Sequence, residues 1–276
     1  MTNSQPDKQK RVLITGGASG LGRALALRWA KAGSQVCIVD KNDERGAEAL
    51  AEVNACGGEG LYLHCDITNE AQINDVKEVL LAKWGGVDIV INNAGVATAG
   101  ELESETIEQW QWILNINVLG MVRMTQAFTP VFKLQGHGYF INIASQAALT
   151  PVPMMASYNA SKAAVVSFSE TMFYELADYN ISVSVLCPSF FKTHLGESLR
   201  SSNEGMRSVM NKLFERASID AEGIADITYQ AVGQKQFMIQ THKEAIKAFW
   251  LKRFMPQAWY LNLILKKTFK LRQQGG

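Results

Sequence analysis

Tyr158 and Lys162 lie four residues apart, a spacing and a pair of residue types suited to moving a proton. On a helix the two side chains share one face. A phenol in water titrates at about 10, too high for a base at neutral pH, and a neighbouring ammonium is expected to lower that value. The same ammonium suits the ribose hydroxyls of a nucleotide. Ser145, at the end of a short apolar run, offers a hydroxyl to the oxygen of an alcohol or carbonyl. Asn115 and Asn117 interrupt an otherwise helical pattern, where an asparagine amide competes for backbone hydrogen bonds, and a functional role is expected for at least one of them. Any amphipathic helix can produce Y-x-x-x-K, so the pair needs a context.

That context begins at the N-terminus. Val12, Leu13 and Ile14 form an apolar run, and Gly16, Gly20 and Gly22 follow it before an apolar helical pattern at Leu21, Leu25, Ala26 and Trp29. A strand, a glycine turn and a helix start bring unpaired backbone N–H groups to one point, where a pyrophosphate binds without a dedicated lysine. The spacing is G-x-x-x-G-x-G, distinct from the G-x-G-x-x-G dinucleotide fingerprint. A second strand, 35–39, ends in Asp40, 18 residues beyond Gly22. A carboxylate there suits two ribose hydroxyls and repels a 2′-phosphate, favouring NAD over NADP, while Lys41 beside it softens that rejection.

The remaining chain alternates in the same way. Strands are expected at 60–65, 87–91, 138–143, 181–186 and 237–240, with helices at 43–54, 106–132, 158–179 and 220–232. Thr68 is expected to cap a helix running to Trp84. Short, β-branched, almost wholly apolar strands between helices indicate a parallel sheet covered on both faces. The third strand leads into Asp66-Ile67, with Asp66 suited to an adenine amino group. The fourth leads into Asn92-Asn93-Ala94-Gly95, whose small residues let backbone pass close to a flat ligand.

With 276 residues, 47% hydrophobic, the chain is sized for one large domain. Its net charge of +1 implies no polyelectrolyte partner and no nucleic acid, yet the charge is uneven. From residue 242 onward eight lysines and arginines face Glu244 alone, a net of +7, which leaves −6 on the rest. No C-x-x-C pair occurs, and Cys37, Cys65 and Cys187 fall in apolar runs, so free thiols in a reducing cytoplasm are expected. No secretory leader and no membrane span is expected. His64, His137, His194 and His242 show no metal-ligand spacing and read as surface or polar residues; no metal is expected.

Taken together, the 15–22 glycine turn, Asp66, Asn92-Asn93-Ala94-Gly95, Asn117, Ser145 and Tyr158-x-x-x-Lys162 resemble the short-chain dehydrogenase/reductase family in order and spacing over about residues 8–240. The resemblance implies a three-layer Rossmann-type α/β fold with a seven-stranded parallel sheet. It implies a catalytic tetrad of Asn117, Ser145, Tyr158 and Lys162, with Asn117 supporting a water that links the lysine to solvent. It implies cofactor contacts from Gly16, Ser19, Gly20, Leu21, Gly22, Asp40, Lys41, Asp66, Ile67, Asn93, Ala94, Gly95, Tyr158, Lys162, Pro188 and Thr193, and a homodimer or homotetramer. The chain departs from the family at Ser189, where glycine commonly follows the proline.

The expected activity is NAD(H)-dependent hydride transfer between a secondary alcohol and a ketone. NADPH-dependent carbonyl reduction and polyol or 3-hydroxyacyl dehydrogenation stand as alternatives. Phe190, Phe191, Leu195, Met206, Met210 and Phe214 make 189–216 an apolar substrate-covering segment, and with Pro153, Met154 and Met155 they suggest a lipid-like substrate such as a steroid, retinoid or long-chain alcohol. The catalytic domain is expected to span 1–241. Residues 242–276 form a basic, aromatic helical extension, divided at Pro256, that either lies on an anionic membrane or packs on the enzyme.

Overall fold

A computed structural model describes residues 9–191, 199–201 and 219–269. Its elements are β1 (Arg11–Thr15), α1 (Gly20–Lys31), β2 (Gln35–Asp40), α2 (Asp43–Ala55), β3 (Glu59–His64) and α3 (Glu70–Trp84). β4 (Ile89–Asn92), β5 (Thr98–Ala99), α4 (Ile107–Leu114), a π-helical turn (Asn115–Gly120), α5 (Met121–Gln135) and β6 (Gly138–Ile143) follow. The chain continues with α6 (Gln146–Leu149), α7 (Ala156–Leu176), β7 (Ile181–Cys187), β8 (Arg200–Ser201), α8 (Ala221–Gly233), β9 (Met238–Gln240), α9 (Lys243–Phe254) and α10 (Gln257–Lys267).

Seven strands form one sheet in the order β3-β2-β1-β4-β6-β7-β9, every pair parallel. β1 and β2 show why these runs lack the alternation of a one-sided sheet. Val12, Ile14, Val36 and Ile38 face a core completed by Leu25 and Trp29 of α1 and Ile224 of α8. Leu13, Cys37 and Val39 face the opposite core, with Leu80 of α3 and Phe128 and Phe132 of α5. Both faces are buried, so both must be apolar. The order reverses between β1 and β4, and the crevice beyond the carboxyl ends of those strands is where an open α/β sheet takes a ligand.

Two sequence expectations change. Asn69, not Thr68, caps α3: its side chain accepts from the Ala71 and Gln72 amides, while Thr68 is occupied by Asp66. The single helix over 106–132 is interrupted by the π-helical turn, which contains both asparagines. Thr106 still caps its start, accepting from the Gln109 amide.

At the opposite, amino-terminal edge of the sheet, Asp88 clamps β1. Its carboxylate accepts from the Arg11 amide at 2.8 Å and from the Arg11 guanidinium at 2.7 and 3.0 Å, and His137 adds a contact at 3.0 Å. Burial alone would raise the Asp88 carboxyl, but the Arg11 and His137 contacts outweigh it and bring it down to about 2. The folded value lies below the unfolded one, so this stability is present above about pH 4 and disappears as pH falls through about 2. The shift corresponds to about 2 kcal/mol. Asp88→Asn is expected to cost about 2–4 kcal/mol in urea unfolding at pH 7, because it also strands Arg11, and the penalty shrinks toward pH 2. A constant penalty across that range would rule out this origin.

Candidate active site

The carboxyl ends of β1, β2, β4 and β6 open into a cleft of about 870 Å³. Its floor is the glycine turn. Gly16 and Gly20 adopt left-handed backbone conformations, φ +62° and +51°. At Gly22 an added Cβ would lie 2.0 Å from the Gly16 carbonyl oxygen, so only glycine lets the turn close onto α1. Asn93 fastens β4 to this turn, donating from its side chain to the Thr15 and Gly16 carbonyls at 2.9 and 3.0 Å. The Asn93 and Ala94 amides both donate to the Thr15 hydroxyl.

Acidic groups line the same end. One Asp40 oxygen accepts from the Ala18 amide at 3.2 Å and the other from the Asn42 amide at 3.1 Å, so the carboxylate is held against the turn. Asp66 accepts from the Thr68 amide and hydroxyl, both at 2.8 Å. Burial works to raise the Asp66 carboxyl, but Thr68 and the nearby Lys41 ammonium prevail and hold it below the ordinary carboxylate range.

Ser145, Tyr158 and Lys162 converge deeper in the cleft. Ser145 caps the short α6, accepting from the Ala147 amide at 3.1 Å, and its side chain lies near enough to Tyr158 to favour the phenolate. Lys162 is 5% exposed and donates to the Ile143 carbonyl at 2.9 Å. Its ammonium lies 5.9 Å from the centre of the Tyr158 ring. Burial lowers the Lys162 ammonium to about 8, and burial likewise pushes the Tyr158 phenol above its ordinary value, with Ser145 pulling it partly back. The expectation of a lowered tyrosine is therefore not met in this protein alone: loss of water penalises the phenolate more than its neighbours favour it.

Asn117 is fully buried behind the cleft. Its side chain accepts from the Val96 amide at 2.8 Å and donates to the Val96 carbonyl and the Ser161 hydroxyl, both at 3.0 Å. It thus joins the π-helical turn, α7 and the loop after β4. Asn115 instead accepts from Arg123.

Of the residues expected at the site, Gly16, Ser19, Gly20, Leu21, Asp40, Lys41, Asp66, Ile67, Asn93, Ala94, Gly95, Ser145, Tyr158, Lys162 and Pro188 all line this one cleft. Gly22 and Asn117 support it from behind, and Thr193 lies outside the described residues, as do Leu195, Met206, Met210 and Phe214. The cleft fits a nicotinamide dinucleotide. At Gly95 an added Cβ would come within 3.2 Å of the Asn117 side chain and 3.4 Å of the Lys162 ammonium, so the wall there is cut back to bare backbone. Among the described residues no cluster of side chains is suited to a metal ion.

Sequence reasoning missed several neighbours. Trp112 lines the cleft with Arg200 stacked on its ring at 3.8 Å. Cys187 lies close enough to Lys162 to interact electrostatically, and burial raises its thiol to about 12, an unreactive form. Gln146 donates to the Ala245 carbonyl at 3.2 Å, which ties α9 to the residue after Ser145. Glu244, Ala245 and Ala248 of α9 line the cleft, so the extension supplies part of its wall. His242, expected to be a surface or polar residue, is buried and bonded to the Thr241 hydroxyl.

A doubly wound parallel sheet with a glycine turn at its switch point and a serine–tyrosine–lysine group above it defines an oxidoreductase that acts on alcohols or ketones with a nicotinamide cofactor. The chain belongs to the short chain dehydrogenase family, whose profile matches residues 10–204. It is 32% identical over 257 residues to a "CLA biosynthesis dehydrogenase/reductase" of Lactiplantibacillus plantarum, covering 86% of this chain and 89% of that one. It is also 32% identical over 201 residues to a cyclopentanol dehydrogenase of Comamonas testosteroni, covering 73% and 80%. A short chain dehydrogenase/reductase from Burkholderia phymatum, solved in complex with NAD, superposes with a TM-score of 0.84 at 29% identity, covering 89% and 93%.

Proposed function

We propose that this chain interconverts an apolar secondary alcohol and its ketone with NAD(H), using Asn117, Ser145, Tyr158 and Lys162. The observation that carries the reading is that Ser145, Tyr158 and the buried Lys162 line one cleft, with Lys162 fixed on the Ile143 carbonyl. The bound cofactor supplies the hydride acceptor or donor. Ser145 and Tyr158 hold the substrate oxygen, and Tyr158 takes its proton in oxidation and returns it in reduction. Lys162, fixed on the Ile143 carbonyl beside the Tyr158 ring, is the group through which that proton passes onward. Asn117 positions α7 through Ser161. NAD is proposed over NADP because Asp40 is fixed at the cofactor end of the cleft. The alternative, NADPH-dependent carbonyl reduction, draws on Lys41 and Arg45, which line the same end and suit a 2′-phosphate.

Trp112, Val152, Met155, Phe190, Phe191 and Leu199 give the substrate half of the cleft its apolar character, and this supports a lipid-like substrate. We also propose one catalytic domain over 1–241, a reducing cytoplasmic setting consistent with four free cysteines, and peripheral membrane contact through 242–276. A homodimer or homotetramer is supported by an exposed stripe on α7, Ala160, Ala163, Ser167 and Tyr174.

Nicotinamide absorbance, followed with NAD and NADP against long-chain, steroid, retinoid, polyol and 3-hydroxyacyl alcohols, tests the reading. Turnover of an apolar alcohol with NAD is expected. Activity confined to polyols or 3-hydroxyacyl compounds would reduce the apolar lining to packing, and a preference for NADP would transfer the assignment to Lys41 and Arg45.

A further inference from the structure

The two C-terminal helices leave a group of large apolar side chains in water. Trp250, Phe254 and Leu251 of α9 are 48%, 76% and 39% exposed, and Trp259, Leu261 and Leu265 of α10 are 69%, 52% and 50% exposed. Phe269, just beyond α10, is 54% exposed. α9 is a helix with two faces. Ala245 and Ala248 line the cleft, and Phe249 packs against the buried cluster that holds Val165 and Cys187. Lys252 on that side donates to the Leu149 carbonyl at 2.6 Å. Lys243, Lys247, Trp250 and Phe254 fall at successive three- and four-residue steps and form a stripe on the opposite side. The Trp250 and Phe254 rings stack with centroids 5.5 Å apart, so the aromatic part of the stripe is already formed.

Charge identifies what this face meets. Residues 242–276 carry +7 on a chain whose remainder carries −6, and Glu244, their one acid, lies in the cleft wall. A second copy seated face to face would set Lys243 and Lys247 of one stripe against those of the other. Aromatic rings flanked by lysines, spread over two helices, suit a deformable apolar layer beneath an anionic surface. No described helix is long and apolar enough to cross a membrane, so contact is in the plane of the surface.

We infer that α9 and α10 dock the enzyme on an anionic lipid bilayer through Trp250, Phe254 and Trp259, with Lys243 and Lys247 on the α9 stripe and Lys266 and Lys267 at the end of α10, and with the inner face of α9 forming the adjacent wall of the substrate cleft. Docking then places a lipid-dissolved alcohol beside the cleft, and apolar substrates are taken up from the bilayer. This second part rests on the apolar-substrate reading.

The test is co-sedimentation of the full chain with vesicles of phosphatidylcholine alone or mixed with phosphatidylglycerol, paired with turnover of a long-chain secondary alcohol carried in those vesicles and of water-dissolved cyclopentanol. Binding is expected to rise about tenfold or more on the anionic vesicles and to fall with added salt. Trp250→Ser combined with Phe254→Ser is expected to reduce binding at least about tenfold and to slow the vesicle-borne substrate, leaving cyclopentanol kinetics unchanged. Tyr158→Phe is expected to bind vesicles as the parent does. Equal or absent binding on both vesicle types overturns the docking. So does a serine variant that changes the oligomer size by light scattering and leaves binding unaltered, because the face would then belong to a second copy. Docking without turnover of any apolar alcohol removes only the substrate reading. Turnover of apolar alcohols indifferent to vesicles, with no docking, removes only the docking.

Discussion

Tyr158→Phe is expected to lower the rate of alcohol oxidation by about 10³-fold or more while leaving dinucleotide affinity within about threefold. The change deletes one oxygen. The ring stays packed among Ala97, Ala99, Ile113 and Leu199, so the fold has no reason to shift, and circular dichroism and melting should match the parent. What disappears is the group that exchanges a proton with the substrate oxygen. A loss of that size is about 4 kcal/mol of transition-state stabilisation, within the range a positioned acid–base group supplies. The measurement is single-turnover nicotinamide absorbance beside a fluorescence titration of the dinucleotide. A variant that keeps a tenth of parental activity would show that Tyr158 is not the proton-transfer group.

Asp40→Ser is expected to lower the preference for NAD over NADP by about 100-fold. Charge-assisted hydrogen bonds are each worth about 1.5–3 kcal/mol, and removing this carboxylate also removes its repulsion of a 2′-phosphate. Lys41 and Arg45 remain to receive that phosphate. The carboxylate also accepts from the Ala18 and Asn42 amides, so a modest drop in melting temperature should accompany the switch. The comparison is kcat/KM for each cofactor with one alcohol. An unchanged ratio, with weaker binding of both cofactors, would assign Asp40 to shaping the turn.

These two positions were legible in the sequence for different reasons. Asp40 is visible because a parallel strand ends where its apolar run ends, which fixes the carboxylate at the sheet edge. β6 lies at 138–143 as its apolar run requires, and β7 begins at Ile181 for the same reason. Tyr158 and Lys162 could be placed on one helical face, but the direction of the phenol's shift could not be read. It depends on burial, which spacing does not encode. The π-helical turn escaped because an extra residue in a helical turn leaves no periodic trace in six residues; only the misplaced asparagines hinted at it. Gln146 and Ala245 meet across 99 positions, and no local pattern joins them. α9 concealed its inner face for another reason: apolar residues on both sides cancel as vectors, so the segment shows no net amphipathic direction.

The all-parallel sheet has a consequence for how such a chain can change. Every strand delivers its carboxyl end to the edge that carries the cleft, while the Arg11–Asp88–His137 clamp holds the opposite edge. Selection can therefore act on the two edges almost independently. Loops after the strands, and the terminal helices, can be lengthened, exchanged or recombined between lineages without disturbing the clamp. In this architecture the segments that shape the cleft stand a full strand length from the clamp.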